Sequence, residues 1–252
     1  MDFLAGHGDG QRGECGTLPI VGAYPLNLPG VLQLASCCGI VGSNAEPRLL
    51  DNEVTSYNFP FVNRLGWDAR TPTKRLALVN PVPFVVIHHS YMPGDCETRK
   101  ECCKAMRTMQ DMHMDGRGWW DVGYNFGVGG DGSAYEGRGW STLGAHALHF
   151  NSVSIGICLI GNWRYKLPPA SQIKTAKSLI AAGVDLGFIR PDYKLVGHRQ
   201  VRQTECPGDA LFQEIKTWDQ YSPFPRTVHD LINVKEISDA VKSLIVTNST
   251  RT

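Results

Sequence analysis

Gly197-His198-Arg199-Gln200-Val201-Arg202-Gln203-Thr204-Glu205-Cys206-Pro207-Gly208 sets a histidine and a cysteine eight residues apart. Far upstream, the apolar run Val85-Val86-Ile87 ends in His88-His89-Ser90. Two imidazoles and one thiolate make an incomplete zinc shell. Structural zinc sites fill all four positions with protein, whereas catalytic sites use three and keep one for water. Cysteine also binds zinc far better than magnesium or calcium, which want oxygen ligands. The competing reading makes His198 a hydrogen-bonded strand-end histidine and Cys206 a buried thiol. Spacing alone leaves both open, because the zinc rules fix ligand number and not one spacing.

Working outward from these stretches, Pro81 and Pro83 lead into Phe84–His88, a continuous apolar run suited to a buried strand. Alternation along that strand sends His88 and His89 to opposite faces, so one of the two is the ligand candidate. Ser152–Ile160 reads as a second apolar strand and Tyr193–His198 as a third, feeding the first stretch. Gly123–Val128 and Ser133–Arg138 flank Gly129-Gly130-Asp131-Gly132, a hairpin signal. That turn lacks the Lys-Ser/Thr ending and following helix of a phosphate loop. Helices are predicted over Thr98–Asp115, with Gly116 as the stop, from Pro168-Pro169 through Gly183, and over Ala210–Trp218. In the second, Ile173, Ala176, Ile180 and Val184 share one face. Cys96 and Cys102 would be separated by about 9 Å of rise inside one helix, beyond the roughly 7 Å Cα limit for a disulfide. If they pair, Cys96 lies in the loop before the helix. Met106, Met109, Trp67 and Trp218 read as core residues, and His113 as structural. Alternating strands and helices predict an α/β fold, a central mixed β-sheet flanked by helices.

Composition sets the bounds. The 252 residues carry 25 basic and 24 acidic side chains, so bulk electrostatics points to no nucleic acid partner. Eight cysteines are too few for a disulfide-built miniprotein of this length. Residues 1–60 lack periodicity and are rich in Gly, Pro, Ser and Asn; a poorly ordered extension is expected. No signal peptide is visible after Met1-Asp2. Cys15–Ala45 is uncharged but interrupted by Pro19, Pro25 and Pro29, so no membrane span is expected. The folded domain is expected over 61–218, followed by a tail, 219–252, with a short helix near Val234–Val246.

Together these pieces resemble the peptidoglycan recognition proteins of the type-2 N-acetylmuramoyl-L-alanine amidase superfamily, nearest to catalytic insect members of the LB type. The resemblance is carried by Val86-Ile87-His88-His89, Gly118-Trp119-Trp120-Asp121-Val122-Gly123-Tyr124-Asn125-Phe126 and Gly129-Gly130-Asp131-Gly132. It continues through Tyr135-Glu136-Gly137-Arg138-Gly139-Trp140, Gly144-Ala145-His146, Ser154-Ile155-Gly156-Ile157, Gly197-His198-Arg199 and Cys206-Pro207-Gly208. It implies the type-2 amidase fold, Zn2+ on His88, His198 and Cys206, catalytic roles for Tyr124 and Thr204, and a Cys96–Cys102 disulfide. His89, His146 and Asn151 fall on groove positions. Gly118, Trp119 and Arg138 fall on the specificity positions, in the combination of diaminopimelate binders. Ala147 and His149 depart from relatives, which often carry Thr and Tyr there.

The chemistry agrees with the resemblance. Amide hydrolysis needs a nucleophile at neutral pH and help for the developing oxyanion; zinc supplies both. Tyr124 and Thr204 can donate hydrogen bonds to the reacting atoms. The implied function is a zinc amidase cutting the lactyl–L-alanine bond of peptidoglycan or muropeptides and modulating innate immunity. The alternative is a non-catalytic pattern receptor on the same fold. Receptors of the family typically replace the ligand cysteine, so Cys206 favours the enzyme. The implied disulfide points to a secreted protein, with an intracellular isoform left open by the missing signal. The Asn248-Ser249-Thr250 sequon is compatible with secretion.

Overall fold

The computed structural model describes residues 57–226 together with Asp230, Asp239 and Lys242. The expectations for the leader up to residue 56, the tail helix and the Asn248 sequon lie outside these residues. Six strands form one sheet: β1 (Phe61–Val62), β2 (Val82–His89), β3 (Phe126–Val128), β4 (Ala134–Glu136), β5 (Ser154–Leu159) and β6 (Ile189–Gly197). Their spatial order is β1-β4-β3-β5-β2-β6, with only the β3/β4 hairpin antiparallel. The sheet is mixed, as its alternating segments require, and β2 lies inside it, between β5 and the edge strand β6. Tyr57 packs against β1, its ring centroid 4.5 Å from that of Phe61.

The period of two along β2 divides the molecule. Val85 and Ile87, with Ile155, Ile157, Leu159 and Leu195, face helix α2 (Ala170–Asp185) and helix α4 (Asp209–Ile215), whose Ala176, Leu179, Ile180, Leu211 and Ile215 complete one core. Each such Val, Leu or Ile side chain contributes about 1.5–3 kcal/mol relative to exposure. Phe84, Val86 and Val196 point the other way, against Ala147, Phe150 and Val201. Cys158, paired in register with His88, packs with Cys102, Met106 and Met109 of helix α1 (Arg99–Arg117). His88 continues the Phe84, Val86 row. It is thus delivered to this second face, between the cluster under α1 and the one under residues 147–150.

Local chemistry explains the ends of α1. Thr98 Oγ1 accepts from Glu101 N at 3.3 Å and Glu101 Oε2 accepts from Thr98 N at 3.1 Å, a reciprocal capping box. The helix passes the stop expected at Gly116 and ends at Gly118, whose φ of 67° suits a residue without Cβ. Cys96 lies before the helix and is disulfide-bonded to Cys102, with Cα atoms 5.1 Å apart. Cys103 is disulfide-bonded as well.

Three sequence expectations shift. The buried face of α2 is Gln172, Thr175, Ala176, Leu179, Ile180 and Gly183, about one residue from the expected stripe. Gln172 Nε2 donates to Val128 O (2.7 Å) and Ile160 O (3.0 Å), and Thr175 Oγ1 to Gly132 O (2.6 Å). These two polar side chains donate to carbonyls at the end of β3, in the hairpin turn and just after β5, which an apolar residue could not do. His198 is not a strand end. It opens the short helix α3 (His198–Val201), and α4 stops at Ile215, three residues before Trp218.

Candidate metal centre and groove

His88 stands near the end of β2, and His198 begins the segment that follows its neighbour β6. This is the carboxyl edge of parallel strands, where open α/β sheets place their sites. Gln200 Oε1 accepts from Gly197 N (2.9 Å), while Gln200 Nε2 donates to Ser222 O and Pro225 O, both at 2.9 Å. These bonds fix the turn that swings His198 toward His88, their ring centroids 4.3 Å apart. The chain then loops back. Arg199 N donates to Cys206 O (2.9 Å), and the Arg199 guanidinium pairs with Asp209 at 2.6 Å. Gly208, with φ 91°, passes so close to Trp163 that a Cβ would lie 2.4 Å from its carbonyl oxygen.

These constraints bring His88, His198 and Cys206 together, with one ligand atom from each lying within 4.8 Å of the others. Cys206 Sγ is 3.8 Å from His88 Nδ1. Zn–N near 2.1 Å and Zn–S near 2.3 Å would place tetrahedral ligand atoms about 3.6 Å apart, so this edge fits. Protonation fits too. Burial first, then the neighbouring His198, His146 and His89, holds the His88 pKa well below that of a free histidine. Burial also lowers His198 to about 4, so both rings are neutral and offer lone pairs near pH 7. Burial pushes the Cys206 thiol up to about 12 in the metal-free chain. A bound cation inverts that balance, because a coordinating thiol is deprotonated outright. His89 N already donates to Cys206 Sγ at 3.4 Å.

His89 points elsewhere, as alternation requires. Its Nδ1 accepts from Trp163 N (3.3 Å), and burial, then Arg164 and Arg199, lowers its pKa to about 4. Tyr124 joins the cluster, its ring centroid 5.2 Å from that of His88. Burial and the sulfurs of Cys158 and Cys206 hold its pKa well above that of a free phenol, so it stays protonated and can donate. Thr204 is exposed beside the loop; its Oγ1 accepts from Cys206 N at 3.2 Å, which leaves the hydroxyl proton for another acceptor. A cavity of about 250 Å³ opens there between Arg164, Tyr165, Arg199 and Thr204.

The stretch 118–124 forms another part of the wall. Trp119 is half-buried against His113, ring centroids 4.8 Å apart. Arg138 donates through Nε to Val122 O (2.7 Å) and through Nη1 to Leu143 O (2.8 Å), which fixes its direction. Burial lowers its pKa, but a guanidinium stays charged. The remaining two groove candidates, His146 and Asn151, lie next to His88 and to each other. His146 Nδ1 is 3.0 Å from His88 Nε2, and Asn151 Oδ1 accepts from His146 N (2.8 Å) and Ala147 N (2.9 Å).

Sequence reasoning missed the residues that hold this wall. Asp121 is 2% exposed, pairs with Arg64 at 2.9 Å, and accepts from Gln110 Nε2 (2.7 Å) and Val122 N (2.8 Å). His113 Nδ1 accepts from Gly123 N at 3.0 Å. Asp121 sits inside the Trp-Trp-Asp-Val run, so an acid among apolar residues was the available signal. Arg64 and Gln110 carried none.

Comparison with known proteins agrees with this geometry. The family described as N-acetylmuramoyl-L-alanine amidase matches residues 78–209. Peptidoglycan-recognition protein LB of Drosophila melanogaster is 53% identical over 161 residues, 64% of this chain and 69% of that protein. The N-acetylmuramoyl-L-alanine amidase of Homo sapiens is 43% identical over 162 residues, 63% of this chain and 28% of that one. The solved structure of peptidoglycan recognition protein-LE in complex with tracheal cytotoxin, described as a monomeric diaminopimelic acid-type peptidoglycan, superposes with a TM-score of 0.64. It is 42% identical and covers 65% of this chain and 96% of that one.

Proposed function

Because this chain belongs to the N-acetylmuramoyl-L-alanine amidase family and is related to the peptidoglycan-recognition proteins, we propose that it is a zinc-dependent amidase. It binds peptidoglycan fragments and hydrolyses the amide between the lactyl group and L-alanine. The observation that carries this reading is the convergence of His88, His198 and Cys206 into a three-ligand cluster beside Tyr124. Three protein ligands are the number a catalytic zinc uses. When bound, zinc supplies Lewis acidity and a nucleophile at neutral pH.

The chain's own groups do the rest. Neutral His88 and His198 and the Cys206 thiolate would hold the metal. The protonated Tyr124 hydroxyl donates to the oxyanion that develops on the amide carbonyl, and Thr204 offers a second donor from the opposite loop. Removing one such donor typically costs about 2.7–4 kcal/mol of transition-state stabilisation.

The stem peptide is proposed to be of the diaminopimelate type, as in the ligand bound by the LE relative. That residue differs from lysine by one carboxylate. Arg138, pinned by two carbonyls, offers a charged fork of fixed direction for it, Gly118 leaves room, and Trp119 packs the stem. The protein is further proposed to act in an oxidising, extracellular setting, in an innate immune response to bacteria; the disulfide-bonded Cys96, Cys102 and Cys103 support the compartment. Alkylation mapping that finds these thiols free in the native protein counts against that setting.

The test of function is mass spectrometry of a defined muropeptide after incubation with the protein. Release of a peptide with a free L-alanine amine, suppressed by a chelator and restored by zinc, supports the enzyme. An intact muropeptide retained by the zinc-loaded protein points to a receptor instead.

A further inference from the structure

His88 carries two ring nitrogens with different neighbours. Nδ1 faces Cys206 Sγ at 3.8 Å, on the side of the metal cluster. Nε2 faces away, 3.0 Å from His146 Nδ1. An imidazole that ligates through one nitrogen carries its proton on the other, and that N–H needs an acceptor when buried. His88 is 1% exposed, so bulk water does not supply one.

We infer that His146 is a positioning residue for the metal centre: its Nδ1 accepts the Nε2–H of His88 and so fixes which nitrogen of His88 is turned to the metal. The inference rests on the zinc reading above and deepens it. His146 then carries its own proton on Nε2.

Two independent features support this role. The ring is seated in a place made for it. A Cβ on Gly156, beside Val86 in the sheet register, would come within 2.4 Å of the His146 ring, and one on Gly144 within 2.5 Å. Asn151 holds the backbone from the other side through its two accepted hydrogen bonds. The second feature is a cost. His146 is 8% exposed, and its Nε2 makes no hydrogen bond among the described residues. A buried unpaired polar atom costs about 1–3 kcal/mol. A residue needed only to fill this space would be apolar and avoid that cost. The histidine is explained by what its other nitrogen does.

The test is zinc affinity, measured by competition with a chromogenic chelator, for the wild type, His146→Leu and His146→Asn. Leucine and asparagine have similar size, and Asn Oδ1 can stand where His146 Nδ1 stands. His146→Leu is expected to bind zinc 10- to 100-fold more weakly, the usual range for loss of an outer-shell partner. His146→Asn is expected to recover most of the loss. The d–d spectrum of the cobalt-loaded forms is expected to shift in the leucine variant alone. Equal affinity in all three proteins, or equal loss in both variants, overturns the inference. Should the leucine variant fail to fold, long-range proton–nitrogen correlation spectra of the zinc-loaded wild type decide the matter. Nε2–H tautomers on both His88 and His146 support the assignment, and an Nδ1–H on His146 overturns it. A wild type that binds no zinc overturns the zinc reading itself. Zinc bound equally by wild type and His146→Leu overturns only the role of His146.

Discussion

Replacing Arg138 by alanine separates recognition from catalysis. The guanidinium is half-buried and anchored by bonds of 2.7 Å to Val122 O and 2.8 Å to Leu143 O. Removing it does two things of different size. It deletes the cation for the stem carboxylate, a charge-assisted hydrogen bond of about 1.5–3 kcal/mol. At 1.4 kcal/mol per decade, that is a loss of roughly 10- to 150-fold in preference for diaminopimelate over lysine. It also strips a donor from two carbonyls. Water can enter the space left behind, so the expected destabilisation is about 1–2 kcal/mol, or a few degrees in Tm for a domain of this size. The assay is kcat/KM on two muropeptides that differ only in the third residue, for wild type and Arg138→Ala. Taking the ratio of the two substrates cancels any loss of active protein, because both sample the same folded fraction. The expected result is a collapse of the ratio, with the rate on the lysine substrate nearly unchanged. A wild type without preference, or a variant that keeps the wild-type ratio, refutes the reasoning.

Three further outcomes are expected. Burial lowers the pKa of His113 to about 4, below the unfolded value of 6.5, so the folded chain binds fewer protons and stability is full above pH 6.5 and lost as pH falls toward 4. That displacement amounts to about 3 kcal/mol, and denaturant midpoints of His113→Asn are expected to lose most of that pH dependence. Gly208→Ala sets a side chain at φ 91° and 2.4 Å from Trp163 O, so calorimetry should show destabilisation beyond about 2 kcal/mol and titration a weakened zinc site two residues away. Replacing Cys96 and Cys102 together by alanine opens a short loop and should cost about 2 kcal/mol in chemical denaturation.

Much of this was legible in the chain. The run Phe84–His88 is apolar because β2 is an interior strand covered on both faces, and the Gly-Gly-Asp-Gly turn marked the hairpin. His88, His198 and Cys206 carried a chemistry that few other residue sets share. What escaped was tertiary. Gln172 and Thr175 lie on the buried face of α2 because carbonyls of β3, the hairpin turn and the segment after β5 need donors, and no helical periodicity contains that demand. Gly116 was a plausible stop, but the left-handed turn falls at Gly118, where Trp119 N and Gly118 N reach back to His113 O. The resemblance puts His146 and Asn151 on groove positions; only the folded chain shows that His146 also lies 3.0 Å from His88 and that Asn151 holds the His146 and Ala147 backbone. Arg64, Gln110 and Asp121 are far apart in sequence, and only the folded chain shows that together they brace residues 118–124.

The central claim is that a metal held by His88, His198 and Cys206 is what makes the protein an amidase. The most direct measurement is turnover of one defined muropeptide as a function of zinc bound per chain, both determined on the same preparation during stepwise chelation, with Cys206→Ser alongside and folding followed by circular dichroism. The rate is expected to fall in proportion to bound zinc, to vanish at zero zinc with the fold intact, and to be absent in metal-poor Cys206→Ser. Full turnover by folded, zinc-free protein would contradict the account.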